Sequence, residues 1–261
     1  MKYHIKRIIN DKMKFCCIIF LFLLMLADLL WPTATWFLDG SMGDGVPIPA
    51  LATFLSGTSD NPWSRMVFDI TLPILIVIIG SEDIIEDFST GYINIIKAKW
   101  GKNKYINLNL IKAFSISFCV LFMPLIYNYA CSLIFYHGGT YAATLDFLLD
   151  LDKDAFLLDC MRHPHITNMV FILAVSFFAG SLGMAIAALT MLIRNRKIIY
   201  PLAFLMWYIP CALPQTILAS FQPFTEYEPI RMYPQYIAVV TVYLLITLIV
   251  YPILRYKESI T

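Results

Sequence analysis

The feature that most constrains this chain is the spacing of its charges. Six apolar stretches, residues 15–38, 66–80, 108–136, 168–193, 198–221 and 235–254, alternate with segments into which the charged residues crowd. A backbone crossing hydrocarbon has to satisfy its own N–H and C=O groups, so apolar runs of this length are expected to be membrane-spanning helices. Composition agrees. The chain is 59% hydrophobic and 14% charged, against about 45–50% and about 25% for soluble domains. The expected fold is all-α: a polytopic membrane protein with six transmembrane helices, forming one domain over residues 1–261.

Lys and Arg set the orientation. Residues 1–14 hold Lys2, Lys6, Arg7, Lys12 and Lys14 around Ile5, Ile8 and Ile9, a basic amphipathic lead-in suited to inner headgroups. The run after it continues through Trp31 and Trp36 without a small-residue cleavage site, so it reads as an uncleaved anchor. With the lead-in, residues 82–112, the Arg194–Lys197 turn and the tail on the inside, 15 of the 19 Lys and Arg are cytoplasmic. Both chain ends are therefore expected in the cytoplasm. Trp31, Trp36 and Trp63 are placed as an outer aromatic belt.

Between the second and third runs lies a polar island. Glu82, Asp83, Glu86 and Asp87 open it and Lys97, Lys99, Lys102 and Lys104 close it, with Lys112 at the foot of the next span. Ile85, Phe88, Tyr92 and Ile95 recur at three- and four-residue steps, which predicts one amphipathic helix over residues 82–96. Acids first and bases last suit the helix dipole. At about 1.5 Å per residue such a helix is roughly 20 Å long, too short and too charged to span. It either lies on lipid or docks on another protein.

Within the spans, Ala179, Gly183 and Ala187 stand at four-residue steps, a spacing that serves either packing inside one chain or a dimer seam. Pro201, Pro210 and Pro214 predict a bent fifth span, which either lines a substrate path together with Trp207 or is simply kinked. Asp28 and Asp69 are acids within spans, both towards the outer leaflet, where snorkelling to water is cheap. The six cysteines read as apolar fillers, although a Cys131–Cys160 bridge is conceivable. His163 and His165 lack a partnering ligand pattern, and the acidic segment 146–159 lacks calcium-loop spacing, so no metal site is expected. Nothing in the charge pattern points to nucleic acid.

The chain has no phosphate-binding loop, because Gly101-Lys102 is followed by Asn103 and lacks the earlier glycine. No HExxH or GxSxG occurs, so no enzyme activity of those kinds is expected. The stretch Glu86-Asp87-Phe88-Ser89-Thr90-Gly91-Tyr92-Ile93-Asn94-Ile95-Ile96, then Lys104-Tyr105 and Lys112, together with Arg194-Asn195-Arg196 after the fourth span, resembles the permease subunits of ABC-2 type ABC transporters. A departure is Lys99-Trp100-Gly101-Lys102, where that family carries a different turn. The resemblance implies that residues 82–96 are a coupling helix, presenting Glu82, Asp83, Ile85, Glu86, Asp87, Phe88, Gly91, Tyr92 and Ile95 to a separate cytoplasmic ATPase subunit. ATP and Mg would bind that subunit and no cofactor would bind this chain. A second permease chain would complete the path as a homodimer or heterodimer. The implied role is export of an amphiphilic substrate, such as a peptide antibiotic, a drug or a lipid-like molecule, across a bacterial cell membrane. An ion- or proton-coupled secondary transporter is the alternative.

Overall fold

The computed structural model describes residues 7, 10–39, 46–56, 62–140, 156–213, 217–224 and 229–257. Most of these residues are helical, and none of them forms a β-strand. Four helices are long and apolar enough to cross a membrane: α1 (Lys12–Asp39), α5 (Lys102–Phe135), α7 (Pro164–Ile193) and α9 (Pro229–Lys257). Two shorter helices stand among them. The first, α2 (Pro62–Ile76), runs through a π-helical turn at Val77–Ser81 directly into α3 (Glu82–Ser89). The second, α8 (Arg196–Ala212), carries Pro201 and Pro210 and gives way to a 3₁₀ turn at Ile217–Phe221. The expected fifth span, residues 198–221, is thus a helix followed by a turn. Pro214 lies outside the described residues, as do Asp146, Asp150, Asp152 and Asp154. Short α4 (Tyr92–Trp100) and α6 (Phe156–Arg162) complete the set.

The most buried helix is α7, packed along its length against α5 and α9. In lipid no hydrophobic effect pulls helices together, so close van der Waals fit has to do it. Here the fit depends on small residues. A Cβ at Gly183 would run into the Ser117 side chain of α5, and one at Gly180 would sit 2.9 Å from the Phe114 ring. Ala179, Gly183 and Ala187 are all buried within the single chain. The stripe therefore faces α5 and its neighbours, not an open seam.

Residues 82–96 are two helices, not one. Gly91 has φ +71°, a left-handed conformation that side chains avoid, and it turns α3 into α4 at Thr90-Gly91. Helical periodicity carries across this elbow, which is why the pattern of Ile85, Phe88, Tyr92 and Ile95 reads as continuous.

Candidate functional site

At one end of the bundle, α3 is clamped by cations from four other parts of the chain. Asp83 is 1% exposed and receives the Lys14 ammonium from α1 on one oxygen and the Lys112 ammonium from α5, at 2.7 Å, on the other. Arg7 spans the helix. Its Nη1 donates to Asp87 at 2.7 Å, its Nη2 to Glu86 at 2.9 Å, and its Nε lies 3.2 Å from Asp83. On the far side Arg196 reaches Glu82 at 3.2 Å and Glu86 at 3.6 Å, and the Tyr200 hydroxyl donates to Glu82 at 3.2 Å. The Arg194 guanidinium lies over the Phe88 ring, 3.9 Å from its centre.

The electrostatics follow from burial and neighbours. Burial alone would raise the Asp83 carboxyl, but Lys112 and Lys14 outweigh it and hold the group at about 2. Asp87 goes the other way, because burial raises it and Arg7 offsets only part of that push. Arg7 itself loses hydration, yet Asp87, Asp83 and Glu86 hold it above its ordinary value. A carboxylate buried among matched cations is costly to take apart, since removing one partner strands the others. The arrangement is a rigid mechanical joint between α3 and α1, α5 and α8.

Sequence reasoning placed the acids of α3 and its apolar side on a partner-facing surface. The structure turns most of them inward. Ile84 is fully buried, Ile85 is 7% exposed, and Asp83 and Asp87 are buried. The outward-facing part lies at and beyond the elbow, at Ser89, Thr90, Asn94 and Ile95, with Ile95 64% exposed. Beside it, Arg7, Asn10, Asp11, Glu86, Asp87 and Tyr92 line a cleft of about 1090 Å³. Lys14, Lys112 and Arg196 as carboxylate partners were not assigned from sequence, where all three counted as positive-inside markers and Lys112 and Arg196 also entered the family resemblance.

Of the candidate path residues that are described, Trp207, Pro210 and Asp28 are buried and Asp69 is half-buried. Trp207 is 2% exposed and stacks on Phe221 at 6.1 Å, with Phe178 edge-on at 5.9 Å. Pro210 is buried in the same region. Asp28 does not snorkel: it is 3% exposed and accepts a hydrogen bond from Ser64 of α2. Asp69 is half-buried one turn beyond Arg65 on α2. All six cysteines are free, so Cys131 and Cys160 are unbridged. Among the described residues no cluster of His, Cys, Asp and Glu could hold a metal.

At the opposite end of the bundle, the loop between α1 and α2 is not a simple surface connection. Ala50, Leu51, Phe54 and Leu55 are buried, with Phe54 edge-on to Phe68 at 5.1 Å. Asn128 of α5 accepts from the Phe54 N–H at 2.9 Å and donates to the Met25 carbonyl of α1 at 2.8 Å. Ser132 donates to the Pro49 carbonyl, and the Thr53 hydroxyl donates to Asn168 Oδ1 of α7 at 3.2 Å. The signal was the apolar run Val46–Leu55, diluted by the glycine- and serine-rich sequence around it.

Over 229 residues, 87% of this chain and 87% of the relative, the sequence is 31% identical to the uncharacterized protein YybM of Bacillus subtilis strain 168. No protein-family model matches the chain, and no solved structure matches it.

Proposed function

This chain belongs to one family with YybM of Bacillus subtilis, and we propose that it is the transmembrane permease subunit of an ATP-driven exporter of the ABC-2 type. In this reading six segments cross the bacterial cell membrane, with α2 and α8 joining the four long helices and both chain ends in the cytoplasm. A separate ATPase subunit binds ATP and Mg and docks on the α3–α4 elbow, and two permease chains form the path for an amphiphilic substrate.

The observation that carries the reading is the clasp around α3. A short cytoplasmic helix lying idle on lipid has no need of four carboxylates tied to Arg7 and to cations from α1, α5 and α8. A lever does, because force applied at its outer surface has to reach the spans without loss. The elbow supplies that surface, with Ile95 outermost, and the π-helical turn makes α3 a continuation of α2.

The test is co-purification of an ATPase with the tagged chain from its native membrane. Ile95→Asp is expected to release the ATPase while leaving the melting temperature within 2 °C of wild type, since its side chain is 64% exposed (~0.5 kcal/mol or less for such a surface change). Retention of the ATPase by Ile95→Asp, or no ATPase in the wild-type preparation, removes the coupling assignment. The secondary-transporter reading draws on one observation, the buried carboxylate of Asp28. It predicts transport that survives ATP depletion and collapses with the proton gradient.

A further inference from the structure

Not every cation at the clasp end of the bundle belongs to the clasp. Arg7, Lys14, Lys112 and Arg196 are spent on the carboxylates of α3. Lys104, in the first turn of α5, and Arg255, in the last turn of α9, have no carboxylate partner among the described residues. The sequence explains the shortage: α5, α7 and α9 contain no Asp or Glu, and none occurs between residues 88 and 145. Glu258, just past α9, lies outside the described residues.

Folding gathers these charges instead of spreading them. Lys102 donates its ammonium to the Arg255 backbone carbonyl, which ties the start of α5 to the end of α9. That bond accounts for Lys102 as a cap on the negative end of α9, but it leaves Lys104, two residues on, and Arg255 exposed. Gly101 gives α5 no side-chain cap, so the positive end of that helix adds to the same field. The Arg255 guanidinium leans back over the Tyr251 ring, 5.8 Å from its centre and one turn nearer the interior of the bundle. Each free cation also heads an apolar stripe. Lys104, Leu108 and Ile111 share one face of α5, and Arg255, Pro252 and Leu248 share one face of α9, all of them exposed. The positive-inside rule accounts for basic residues on this side of the membrane, not for their meeting at the heads of two lipid-facing stripes.

We propose that the corner formed by Lys102, Lys104 and Arg255 is a headgroup site for an anionic glycerophospholipid, whose acyl chains lie along the exposed stripes of α5 and α9. The molecule that complements a cation above an apolar track is one with a phosphate above hydrocarbon. A basic side chain at an anionic membrane surface is worth about fivefold in binding, so Lys104 and Arg255 together supply at least about tenfold at low salt. The site needs only that the bundle sits in a bilayer. It holds whether or not an ATPase docks at the elbow, so it and the permease reading fail separately.

The experiment titrates the full chain, purified in dodecyl maltoside, with dioleoyl phosphatidylglycerol and counts bound lipid by native mass spectrometry. Zwitterionic dioleoyl phosphatidylcholine is the control. Wild type is expected to bind the anionic lipid at least about tenfold more tightly than the zwitterionic one. Lys104→Gln/Arg255→Gln, which leaves the Lys102 cap in place, is expected to lose that preference, and the charge-keeping Lys104→Arg/Arg255→Lys to retain it. Lys12→Gln/Lys197→Gln removes two charges from exposed positions at the same end of the bundle and is expected to bind like wild type. Equal binding of the two lipids overturns the proposal. So does equal loss in both neutralised chains, which would leave only a diffuse positive field. Loss in the charge-keeping chain would assign the effect to packing or folding, and displacement of the lipid by soluble glycerol 3-phosphate would make the acyl chains irrelevant. Either result overturns the proposal as well.

Discussion

Asp83 shows how much one carboxylate can carry. With Lys14 and Lys112 on its two oxygens and Arg7 3.2 Å away, it holds α3 to α1 and α5 at once. Asp83→Asn keeps the shape and removes the charge, leaving the buried Lys112 ammonium without this carboxylate and Lys14 with Asp11 at 3.5 Å. The expected loss is about 3–5 kcal/mol, seen as a fall in melting temperature in detergent. The pH dependence has a definite sign. The folded carboxyl is held at about 2, below its ordinary value of about 3.9. Its contribution, about 2 kcal/mol, is therefore complete above about pH 4 and is lost as pH falls through the folded value. Asp87, raised by burial, has the opposite sign and cannot produce this loss. Melting curves from pH 7 down to pH 2 should show an acid limb in wild type that flattens in Asp83→Asn. A limb of equal depth in both would place the joint elsewhere.

At the scale of elements, the long apolar helices were legible because an apolar run bounded by Lys and Arg has few other solutions in a membrane. The stripe of Ala179, Gly183 and Ala187 was legible as a close-packing device, but periodicity does not say which helix is the partner. The answer lies in Ser117 and Phe114, more than 60 residues earlier in the chain. The elbow was illegible for a different reason: a single left-handed residue breaks a helix without disturbing the three- and four-residue recurrence around it. The inward turn of the acids was hidden too, since Lys14, Lys112 and Arg196 are partners only after folding. Two substitutions separate these effects. Gly183→Leu has to push α5 from α7, an overpacking expected to cost about 1–3 kcal/mol or more. A Cβ added at Gly91 meets no atom within 4 Å, so the cost of Gly91→Val is chiefly that of the left-handed backbone, about 1–2 kcal/mol. In the permease reading Gly91→Val should weaken ATPase co-purification with only a small drop in melting temperature. Gly183→Leu should lower the melting temperature first.

For the whole molecule, the clasp and the buried loop 47–56 lie at opposite ends of the bundle and share α1 and α5. Lys14 and Met25 are on α1; Lys112 and Asn128 are on α5. A rigid helix pair joining the two ends gives a physical route by which a push at the elbow reaches the loop, provided the ends face opposite sides of the membrane. That orientation has so far only the distribution of Lys and Arg behind it, and it is directly measurable. In a chain with its cysteines changed to serine, Asn94→Cys should react with a membrane-impermeant maleimide only after the membrane is opened. Ile166→Cys, on the exposed start of α7, should react in intact cells. Reaction of Asn94→Cys from outside would put the clasp on the wrong side for any cytoplasmic motor, and the exporter reading would fall with it.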